Sequence, residues 1–397
     1  MSLFAELTSG INTVRPGRTT MRGFDLSLVI VATALVLFGL LMVYSASIGL
    51  ADGPRYSTYG RFYFVGRHAA FITVGLACAA IAATISMKTW ERLAVPIFLA
   101  TMALLLIVLV PGIGREVNGA RRWVGVGPIN FQPSELMKVA VLLFAAAYTV
   151  RKQQHMKNFV RGFLPMACAL AGVGLVLLME PDLGAFMVCV AIAVGILFIG
   201  GINGKLFSAL LSIMMGSFLL LIWLSPWRRE RLFVYLDPWN PSNTYGSAYQ
   251  LSHSLIALGR GHWFGVGLGA SVEKLHYLPE AHTDFIFSVI GEELGFVGLM
   301  GVVCLFAFLV WRGFEIGRQA IAMERVFSGL VAQGVALWFG VQAFINMGVC
   351  VGLLPTKGLT LPLVSYGGSS IVMNLVALAL LLRVDHENRN LMRGVRT

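Results

Sequence analysis

The amino-acid sequence predicts an all-α integral membrane protein with about ten transmembrane helices. Charged residues make up only 12% of the 397 residues, hydrophobic residues make up 57%, and the mean hydropathy is +0.79. A soluble domain carries about 25% charged residues, which cover its surface. A chain this poor in charge must place most of its surface against lipid.

Ten apolar runs are close to the length of about 20 residues that crosses the hydrocarbon core of a bilayer. In chain order, the predicted spans are residues 26–47, 68–86, 94–111, 134–150, 163–180, 183–201, 207–226, 284–311, 327–347 and 365–383. The first run is too long for the apolar core of a cleavable signal peptide, so we interpret it as a transmembrane helix. Pro181 and Asp182 predict a tight turn between the fifth and sixth spans, since Pro181 interrupts one helix and Asp182 can cap the next.

Lys and Arg residues set the predicted orientation. If the N-terminus is cytoplasmic, these residues are roughly twice as dense in the inner segments as in the outer ones, which satisfies the positive-inside rule. The predicted organisation is a cytoplasmic tail (1–25), a membrane domain (26–383) with a large outer loop (227–283) between spans seven and eight, and a second cytoplasmic tail (384–397). Both termini are therefore predicted to be cytoplasmic.

The formal net charge of +11 does not point to nucleic acid in such a chain. It follows from the basic ends of the spans, and it suits anionic lipid headgroups or an anionic lipid-linked substrate. The five cysteines lie inside or at the ends of apolar runs and their number is odd. We therefore expect small core residues, with no disulfide framework and no metal motif.

Three outer segments, at 112–133, 227–283 and 348–364, are rich in Gly, Pro, Trp and charge. Loops usually carry function, so we look for chemistry on the outer face. Within the large loop, Ser247–Leu258 has the pattern of an amphipathic interfacial helix. The next stretch, Gly259–Gly269, is so rich in glycine that it predicts close backbone approach or unusual φ values.

Asp284 is the candidate general base. It lies where the large outer loop enters an apolar helix, close to Glu280 and His282. A partly desolvated carboxylate at a membrane surface has a raised pKa and can accept a proton from a hydroxyl. The simpler alternative is that Asp284 caps the helix N-terminus.

Two further pairs of charged residues have both a functional and a structural interpretation. Glu292 and Glu293 lie deeper in the helix that follows Asp284, where buried charges are either functional or paired. Glu135 and Lys138 open the fourth span three residues apart, so they lie on one helix face and can form a local ion pair.

Outward-facing cations and a glycine-rich helix entry complete the candidate site. Arg121 and Arg122 precede Trp123, and they either anchor the interface or present guanidinium groups to a pyrophosphate. Lys357 precedes the entry to the last helix at Ser369, where backbone donors can bind an anion or simply cap the helix.

Several ordered strings resemble the signatures of the SEDS family (shape, elongation, division and sporulation), and the resemblance is nearest to its cell-division branch. They are Asn118–Trp123, Gln132–Glu135, Pro181–Gly184, Tyr249–Gln250, Leu278–Phe287 and Gly352–Ser370. The resemblance covers nearly the whole chain. One departure is Glu180, which stands where many members have Gln.

The resemblance implies a ten-helix peptidoglycan glycosyltransferase that polymerises lipid II at the division septum of the bacterial inner membrane. It implies that Asp284 is the essential aspartate, and that Trp123, Glu135, Lys138 and Lys357 surround a central cavity. His282 and Ser369 are the neighbouring residues that we expect to contact substrate.

On this interpretation, Asp284 activates the 4-hydroxyl of an acceptor sugar against a donor glycan carried on undecaprenyl pyrophosphate. Arg121, Arg122, Lys357 and the Arg228–Arg231 cluster are the cations available to the leaving pyrophosphate. A divalent cation (Mg²⁺ or Mn²⁺) is left open as a further stabilising group, although no metal motif is visible.

The expected partners are a single-pass class B penicillin-binding transpeptidase and other division-complex membrane proteins. Two other functions remain open from the sequence. A lipid II flippase would use the same cavity, with polar residues through the bilayer. A non-catalytic scaffold of the division complex would tolerate the Asp284→Asn substitution.

Overall fold

The computed structural model describes residues 23–52, 60–117, 120–126, 129–156, 158–202 and 248–394, with scattered positions between 203 and 247. Most of the predicted seventh span (207–226), the first part of the large outer loop and the N-terminal tail before Gly23 lie outside these residues. The expectations for them remain predictions.

The described chain is mostly helical. Its helices are α1 (Leu26–Ser47), α2 (Tyr63–Thr84), α3 (Met87–Val108), α4 (Pro133–Arg151), α5 (Leu164–Met179), α6 (Leu183–Ile199), α7 (Tyr249–Arg260), α8 (Ile286–Ala322), α9 (Val326–Cys350) and α10 (Gly368–Met392). In the described part of the chain, eight helical segments are long and apolar enough to cross a membrane: α1 to α4, α5 with the π-helical turn before it, and α8 to α10. The shorter α6 is also apolar. The prediction of a multi-pass, all-α membrane protein is confirmed.

Helices α4, α9 and α10 form the centre of the bundle. In each of them, 78% of the most apolar stretch is buried, compared with 17% in α2, so α2 lies at the lipid-facing periphery. Small residues let helices approach closely in lipid, where the hydrophobic effect does not drive helices together. In the α8–α9 contact, a Cβ atom on Gly317 would lie 2.4 Å from Cγ of Gln333.

The first and last helices meet at one end of the bundle. The backbone N–H of Asp25 donates to Oδ2 of Asp385 at 2.8 Å, and the Asp25 carboxylate pairs with Arg312. We call the whole group the terminal ion-pair cluster, and its members are Asp25, Arg312, Arg325, Arg383, Asp385, Glu387 and Arg389. The predicted C-terminal tail begins inside α10, which continues to Met392.

Segment 112–133, which the sequence predicts as an outer loop rich in Gly, Pro, Trp and charge, contains a three-stranded antiparallel sheet. Its strands are β1 (Gly114–Val117), β2 (Ala120–Val126) and β3 (Ile129–Phe131), in that order across the sheet. Val117 pairs with Ala120, so two residues, Asn118 and Gly119, connect the first two strands. An Asn-Gly pair between strands is a strong hairpin signal, and it was available in the sequence.

Helix α8 is broken at Gly295, where φ is +67° and ψ is −166°. The glycine-rich loop fits against this break. The N–H of Phe296 donates to the carbonyl of His262 at 2.9 Å, and the N–H of Val266 donates to the carbonyl of Glu292, also at 2.9 Å. The loop therefore satisfies backbone groups that the break leaves without helical partners.

Glycine is needed at these contacts because the two backbones touch. A Cβ atom on Gly261 would lie 1.9 Å from the carbonyl oxygen of Gly291, and one on Gly265 would lie 2.1 Å from that of Glu293. This confirms the predicted close backbone approach. The predicted amphipathic helix is also present as α7, which packs on α8 and α9 and buries Leu251.

Candidate active site

Asp284 lies two residues before α8, at the end of the bundle opposite the terminal ion-pair cluster. The residue at the helix cap is Phe285, and the cap has no side-chain hydrogen bond, so Asp284 is not an N-cap. A Cβ atom on Gly358 would lie 2.8 Å from Oδ2 of Asp284. The carboxylate therefore faces the glycine that follows Lys357.

The pKa of Asp284 is raised to about 7, first by burial and then by the negative charge of Glu280. The positive charge of Arg122 acts in the opposite direction, while Asp182 adds a smaller raising contribution. A carboxyl group with this pKa is partly ionised at neutral pH and is poised to take up a proton.

Arg122 reaches toward the site from β2. Its Nε donates to the carbonyl of Glu180 at 2.8 Å, and its Nη2 donates to the carbonyl of Pro181 at 2.7 Å. The guanidinium therefore holds the turn between α5 and α6, and its charge lies close enough to Asp284 to lower the pKa of that carboxyl.

Arg121 is not brought together with Arg122. The pairing of β1 with β2 shifts register here: Arg121 lies opposite Glu116 and Trp123 lies opposite Arg115, so Arg122 is the extra residue of a β-bulge between them. Arg121 pairs with Glu116 at 3.2 Å, and its side chain is 41% exposed. Trp123 is half-buried. Of the two arginines, Arg122 is the one whose charge acts on the Asp284 carboxyl.

Asp182 fastens the same turn to the start of α4. Its Oδ1 accepts a hydrogen bond from the N–H of Ala185 at 3.1 Å, which confirms the predicted cap of α6. Its Oδ2 accepts from the Ser134 hydroxyl at 2.9 Å and from Nε2 of Gln132 at 3.2 Å. Sequence reasoning missed Ser134 as a partner of this carboxylate, since the two lie 48 residues apart.

Glu180 is fully buried, and neither carboxylate oxygen has a hydrogen-bond partner. The pKa of Glu180 is raised to about 8, first by burial and then by the negative charge of Asp182, while the positive charge of Arg122 acts in the opposite direction. The side chain is therefore mostly protonated at neutral pH. A neutral Glu has nearly the shape and charge of the Gln that the resemblance places here.

Glu135 and Lys138 form the predicted local ion pair. Nζ of Lys138 lies 2.8 Å from Oε1 of Glu135 and 3.1 Å from Oε1 of Gln342. It also lies 5.5 Å from the ring centroid of Trp338, and Lys138 is 0% exposed. The amine of Lys138 is thus enclosed by protein groups.

Two amides of α9 bond backbone carbonyls of the site, and neither was predicted from the sequence. Asn346 donates through Nδ2 to the carbonyl of Asp284 at 2.7 Å and to that of Leu359 at 2.6 Å. Gln342 donates through Nε2 to the carbonyl of Thr360 at 2.8 Å. The available signal was an amide inside an apolar span, where an unpaired polar group is costly.

His282 is buried in an aromatic cluster beside the site. Its ring centroid lies 5.1 Å from that of Phe64 and 5.3 Å from that of Tyr366. The carbonyl of His282 accepts a hydrogen bond from the N–H of Tyr366 at 3.0 Å. Burial lowers the pKa of His282, although Glu280 opposes this, so the imidazole is neutral and packs as an aromatic ring.

Lys357 and Ser369 lie in the last outer segment and at the start of α10. Lys357 is half-buried and directly precedes Gly358, which faces Asp284. The hydroxyl of Ser369 accepts a hydrogen bond from the N–H of Gln132 at 2.9 Å. Ser369 therefore joins α10 to the entry of α4.

Glu292 and Glu293 are buried at the break of α8 and anchor the outer loop. Glu293 pairs with Lys274 at 2.6 Å and accepts from the Ser45 hydroxyl at 2.7 Å. Glu292 accepts from the N–H of Val272 at 3.0 Å. The structural interpretation of these carboxylates, as members of a buried ion-pair network, is confirmed.

The arginine cluster and the divalent cation considered from the sequence are not part of the site that the described residues form. Of the predicted Arg228–Arg231 cluster, only Arg229 is described, and its guanidinium lies 5.6 Å from the ring centroid of Trp223. Within the described residues, no group of three His, Cys, Asp or Glu side chains could hold a metal ion. The residues around Asp284 therefore do not fit a protein-held divalent cation, and we derive no step through one.

The sequence matches one protein family along nearly its whole length. Residues 25–390 match the cell cycle protein family of FtsW, RodA and SpoVE. The chain is 60% identical over 388 residues to the probable peptidoglycan glycosyltransferase FtsW of Burkholderia thailandensis, covering 98% of this chain and 84% of the relative. It is 58% identical over 375 residues to the protein of the same name from Aromatoleum aromaticum, covering 94% and 91%.

Solved structures share the fold. One comes from work on structural coordination of polymerization and crosslinking by a peptidoglycan synthase complex. It has a TM-score of 0.72 at 30% identity and covers 92% of this chain and 98% of its own. The rod shape determining protein RodA of Thermus thermophilus has a TM-score of 0.65 at 30% identity and covers 92% and 97%.

Proposed function

The chain belongs to the cell cycle protein family of FtsW, RodA and SpoVE, and from this membership we propose that it polymerises lipid II into β-1,4-linked glycan strands. It is a multi-pass membrane protein and a peptidoglycan glycosyltransferase most similar to FtsW. The observation that carries the proposal of mechanism is the Asp284 carboxyl, which has a pKa of about 7 and faces Gly358.

In this mechanism, Asp284 accepts the proton of the 4-hydroxyl of the acceptor GlcNAc. The hydroxyl oxygen attacks the anomeric carbon of the donor glycan, and a new C1–O4 bond forms. The bond from C1 to the pyrophosphate oxygen breaks, and its electron pair leaves with undecaprenyl pyrophosphate. Attack opposite the leaving group converts an α-linked donor into a β-linked product. One general base is sufficient because the donor is already activated.

Charge on the leaving pyrophosphate is opposed by cations near Asp284. Arg122 lies close enough to lower the pKa of Asp284, and Lys357 precedes the glycine that faces this carboxyl. Their fixed positive charges stabilise a developing anion more effectively at a desolvated site than in water. Arg121 pairs with Glu116, so it has a smaller part in this proposal.

The proposal also covers location and partners. The active face is periplasmic and the protein acts at the division septum, with both termini in the cytoplasm. A septal class B penicillin-binding transpeptidase is the proposed partner. Two observations support this: FtsW-named relatives at up to 60% identity, and a structural match from a peptidoglycan synthase complex that coordinates polymerization and crosslinking.

A flippase has less support than the enzyme. It would need polar residues that line a path through the bilayer. The buried charged groups deep in the described spans are paired with protein partners, as Lys138 is with Glu135 and Glu293 is with Lys274.

The deciding experiment measures lipid II polymerisation by the purified protein with its transpeptidase, and resolves the glycan products by gel. Wild type should form polymer, while a folded Asp284→Asn protein should lose at least about 100-fold in rate, as for the loss of a general base. Glu280→Gln is the matched control, because it removes a nearby carboxylate that is not the base. Equal rates for wild type and Asp284→Asn would contradict the mechanism. Movement of lipid II across proteoliposomes, without polymer from either protein, would favour the flippase.

A further inference from the structure

Gln342 and Asn346 lie four residues apart on α9, so their side chains share one face of the helix. Both are buried, at 0% and 1% exposure. Amides this deep in a membrane-spanning helix are costly unless their polar atoms are bonded. Their partners show what they hold: the backbone of the segment after Lys357 and the backbone of Asp284.

Asn346 joins two distant parts of the chain with a single nitrogen. Its Nδ2 lies 2.7 Å from the carbonyl oxygen of Asp284 and 2.6 Å from that of Leu359. Both partners are carbonyl acceptors, and the two N–H donors of the Asn346 amide serve both. Gly358, next to Leu359, is the residue against which the Asp284 carboxylate packs. Asn346 therefore fixes the separation between Asp284 and this segment.

Gln342 bonds the carbonyl of Thr360, the residue after Leu359, and is itself bonded by residues deeper in the bundle. Its Nε2 donates to Thr360, while its Oε1 accepts from Trp338 Nε1 at 2.8 Å and from Lys138 Nζ at 3.1 Å. Lys138 is in turn paired with Glu135. The contacts thus run from the buried ion pair of α4 through Gln342 to the Thr360 carbonyl, and from the adjacent Leu359 carbonyl through Asn346 to the backbone of Asp284.

We propose that Asn346 is a positioning residue for Asp284. Together, Gln342 and Asn346 form an amide ladder that holds Asp284 and the segment 357–360 at a fixed separation. The Lys138–Glu135 pair anchors this ladder and does not bind substrate directly. The proposal rests on the proposed role of Asp284 as the base. A displacement of about 1 Å of a catalytic group can reduce a rate by about 100-fold, so this separation matters for turnover.

The test compares three substitutions of buried amides on α9 by apolar residues of similar size: Asn346→Leu, Gln342→Met and Gln333→Met. Gln333 is the matched control, because it is a buried amide of the same helix that packs against Gly317, away from the site. Each variant is purified with its transpeptidase. For each we measure kcat and KM for lipid II, the pH profile of the rate, and backbone deuterium uptake of residues 357–361.

Asn346→Leu should lower kcat by about 10–100-fold with KM within about twofold of wild type, and it should raise deuterium uptake of 357–361. The midpoint of the pH profile should stay where Asp284 sets it, since Asn346 bonds only the backbone of Asp284. Gln342→Met should show smaller changes in the same direction. Gln333→Met should match wild type. Asn346→Ser keeps one short donor, so its kcat should lie between those of Asn346→Leu and wild type.

Wild-type kcat and deuterium uptake in Asn346→Leu would overturn the proposal. A raised KM with unchanged kcat would also overturn it, because that result indicates direct substrate contact. If Asn346→Leu does not fold, the kcat and uptake of Asn346→Ser decide in its place. If wild type itself forms no polymer, the proposed function fails. In that case unchanged uptake would still overturn the amide ladder, and raised uptake would support it.

Discussion

At Asp284, burial and neighbouring charges act on the pKa in different directions. Burial and Glu280 raise the pKa, and Arg122 opposes them. A carboxylate fully exposed to water would be ionised at neutral pH but would be a weak base. At a pKa of about 7, the group is a stronger base and is still partly ionised, which is the compromise that general base catalysis requires.

We expect the polymerisation rate to rise with pH through a midpoint near 7, because only ionised Asp284 can accept the acceptor proton. Initial rates of polymerisation between pH 5.5 and 8.5 measure this rise. Glu280 is the charged group that raises the pKa of Asp284 most. In Glu280→Gln, the midpoint of the pH–rate profile should therefore shift to lower pH. An unchanged midpoint in Glu280→Gln, or a rate that falls across this range in wild type, would argue against Asp284 as the base.

Glu180 leads to a prediction about stability. Its pKa is about 8 in the folded protein, above the ordinary value of 4.5. The unfolded chain therefore loses the proton at lower pH than the folded chain does, and the folded state loses stability as pH rises from about 4.5 to 8. Glu180→Gln removes this loss.

Thermal unfolding in detergent, followed by Trp fluorescence, should show Glu180→Gln gaining stability over wild type as pH rises through this window. The gain should reach a few kcal/mol by pH 8, since each pKa unit corresponds to about 1.4 kcal/mol. Catalytic activity should remain, because a neutral side chain replaces a neutral side chain. A constant difference in melting temperature across the window would contradict the buried, protonated Glu180.

At the scale of elements, the contact between the glycine-rich loop and the broken helix α8 has no room for a larger side chain at Gly265. Gly265, in the loop, has φ of +79°, and a Cβ atom on it would lie 2.1 Å from the carbonyl oxygen of Glu293. Gly301, within α8, has open space where its Cβ atom would be. Gly265→Ala should destabilise the protein by about 2–4 kcal/mol, from the left-handed backbone and the overlap together.

Gly301→Ala is the control for this prediction. It should leave stability unchanged or increase it by about 0.5–1 kcal/mol, because Ala favours a helix interior over Gly. Melting temperatures of both variants in the same detergent decide the matter. Equal melting temperatures for Gly265→Ala and wild type would show that the loop does not pack on the break.

The sequence predicts the membrane spans but not the sheet or the break in α8, and each outcome has a physical reason. Long apolar runs predict spans well, since a bilayer demands about 20 apolar residues. The sheet at 112–133 was missed because its strands have only 4, 7 and 3 residues and show no sustained alternation. The break at Gly295 was missed because the glycine sits inside an apolar run, and only the loop packed against it makes the break necessary.

At the scale of the whole molecule, the candidate site is assembled from four distant parts of the chain: β2, the turn at Glu180–Asp182, the entry to α8, and the segment before α10. Asp284 was predicted because local sequence places a carboxylate at a helix entry. Asn346 was not predicted, since its partners lie 62 and 13 residues away and no local pattern reports such contacts.

The two ends of the bundle provide a test of orientation. Glu116 lies in the sheet at the end of the bundle that is proposed to be periplasmic, and its side chain is 54% exposed. Gly394 is exposed just beyond α10, at the opposite end. In a cysteine-free background, Glu116→Cys should react with a membrane-impermeant maleimide added to cells with a permeabilised outer membrane. Gly394→Cys should react only after the inner membrane is disrupted. The reverse pattern would invert the proposed topology.

The hydrogen bond from Asp25 to Asp385 spans 360 residues and has a consequence for biogenesis. Synthesis proceeds at about 5–20 residues per second, so α1 enters the membrane roughly 20–70 s before α10 exists. During that time the charges of Asp25 and Arg325 lack the partners Arg389 and Glu387 that α10 supplies. These contacts form only when translation is nearly complete, so truncation of α10 should leave the charges of Asp25 and Arg325 without these partners.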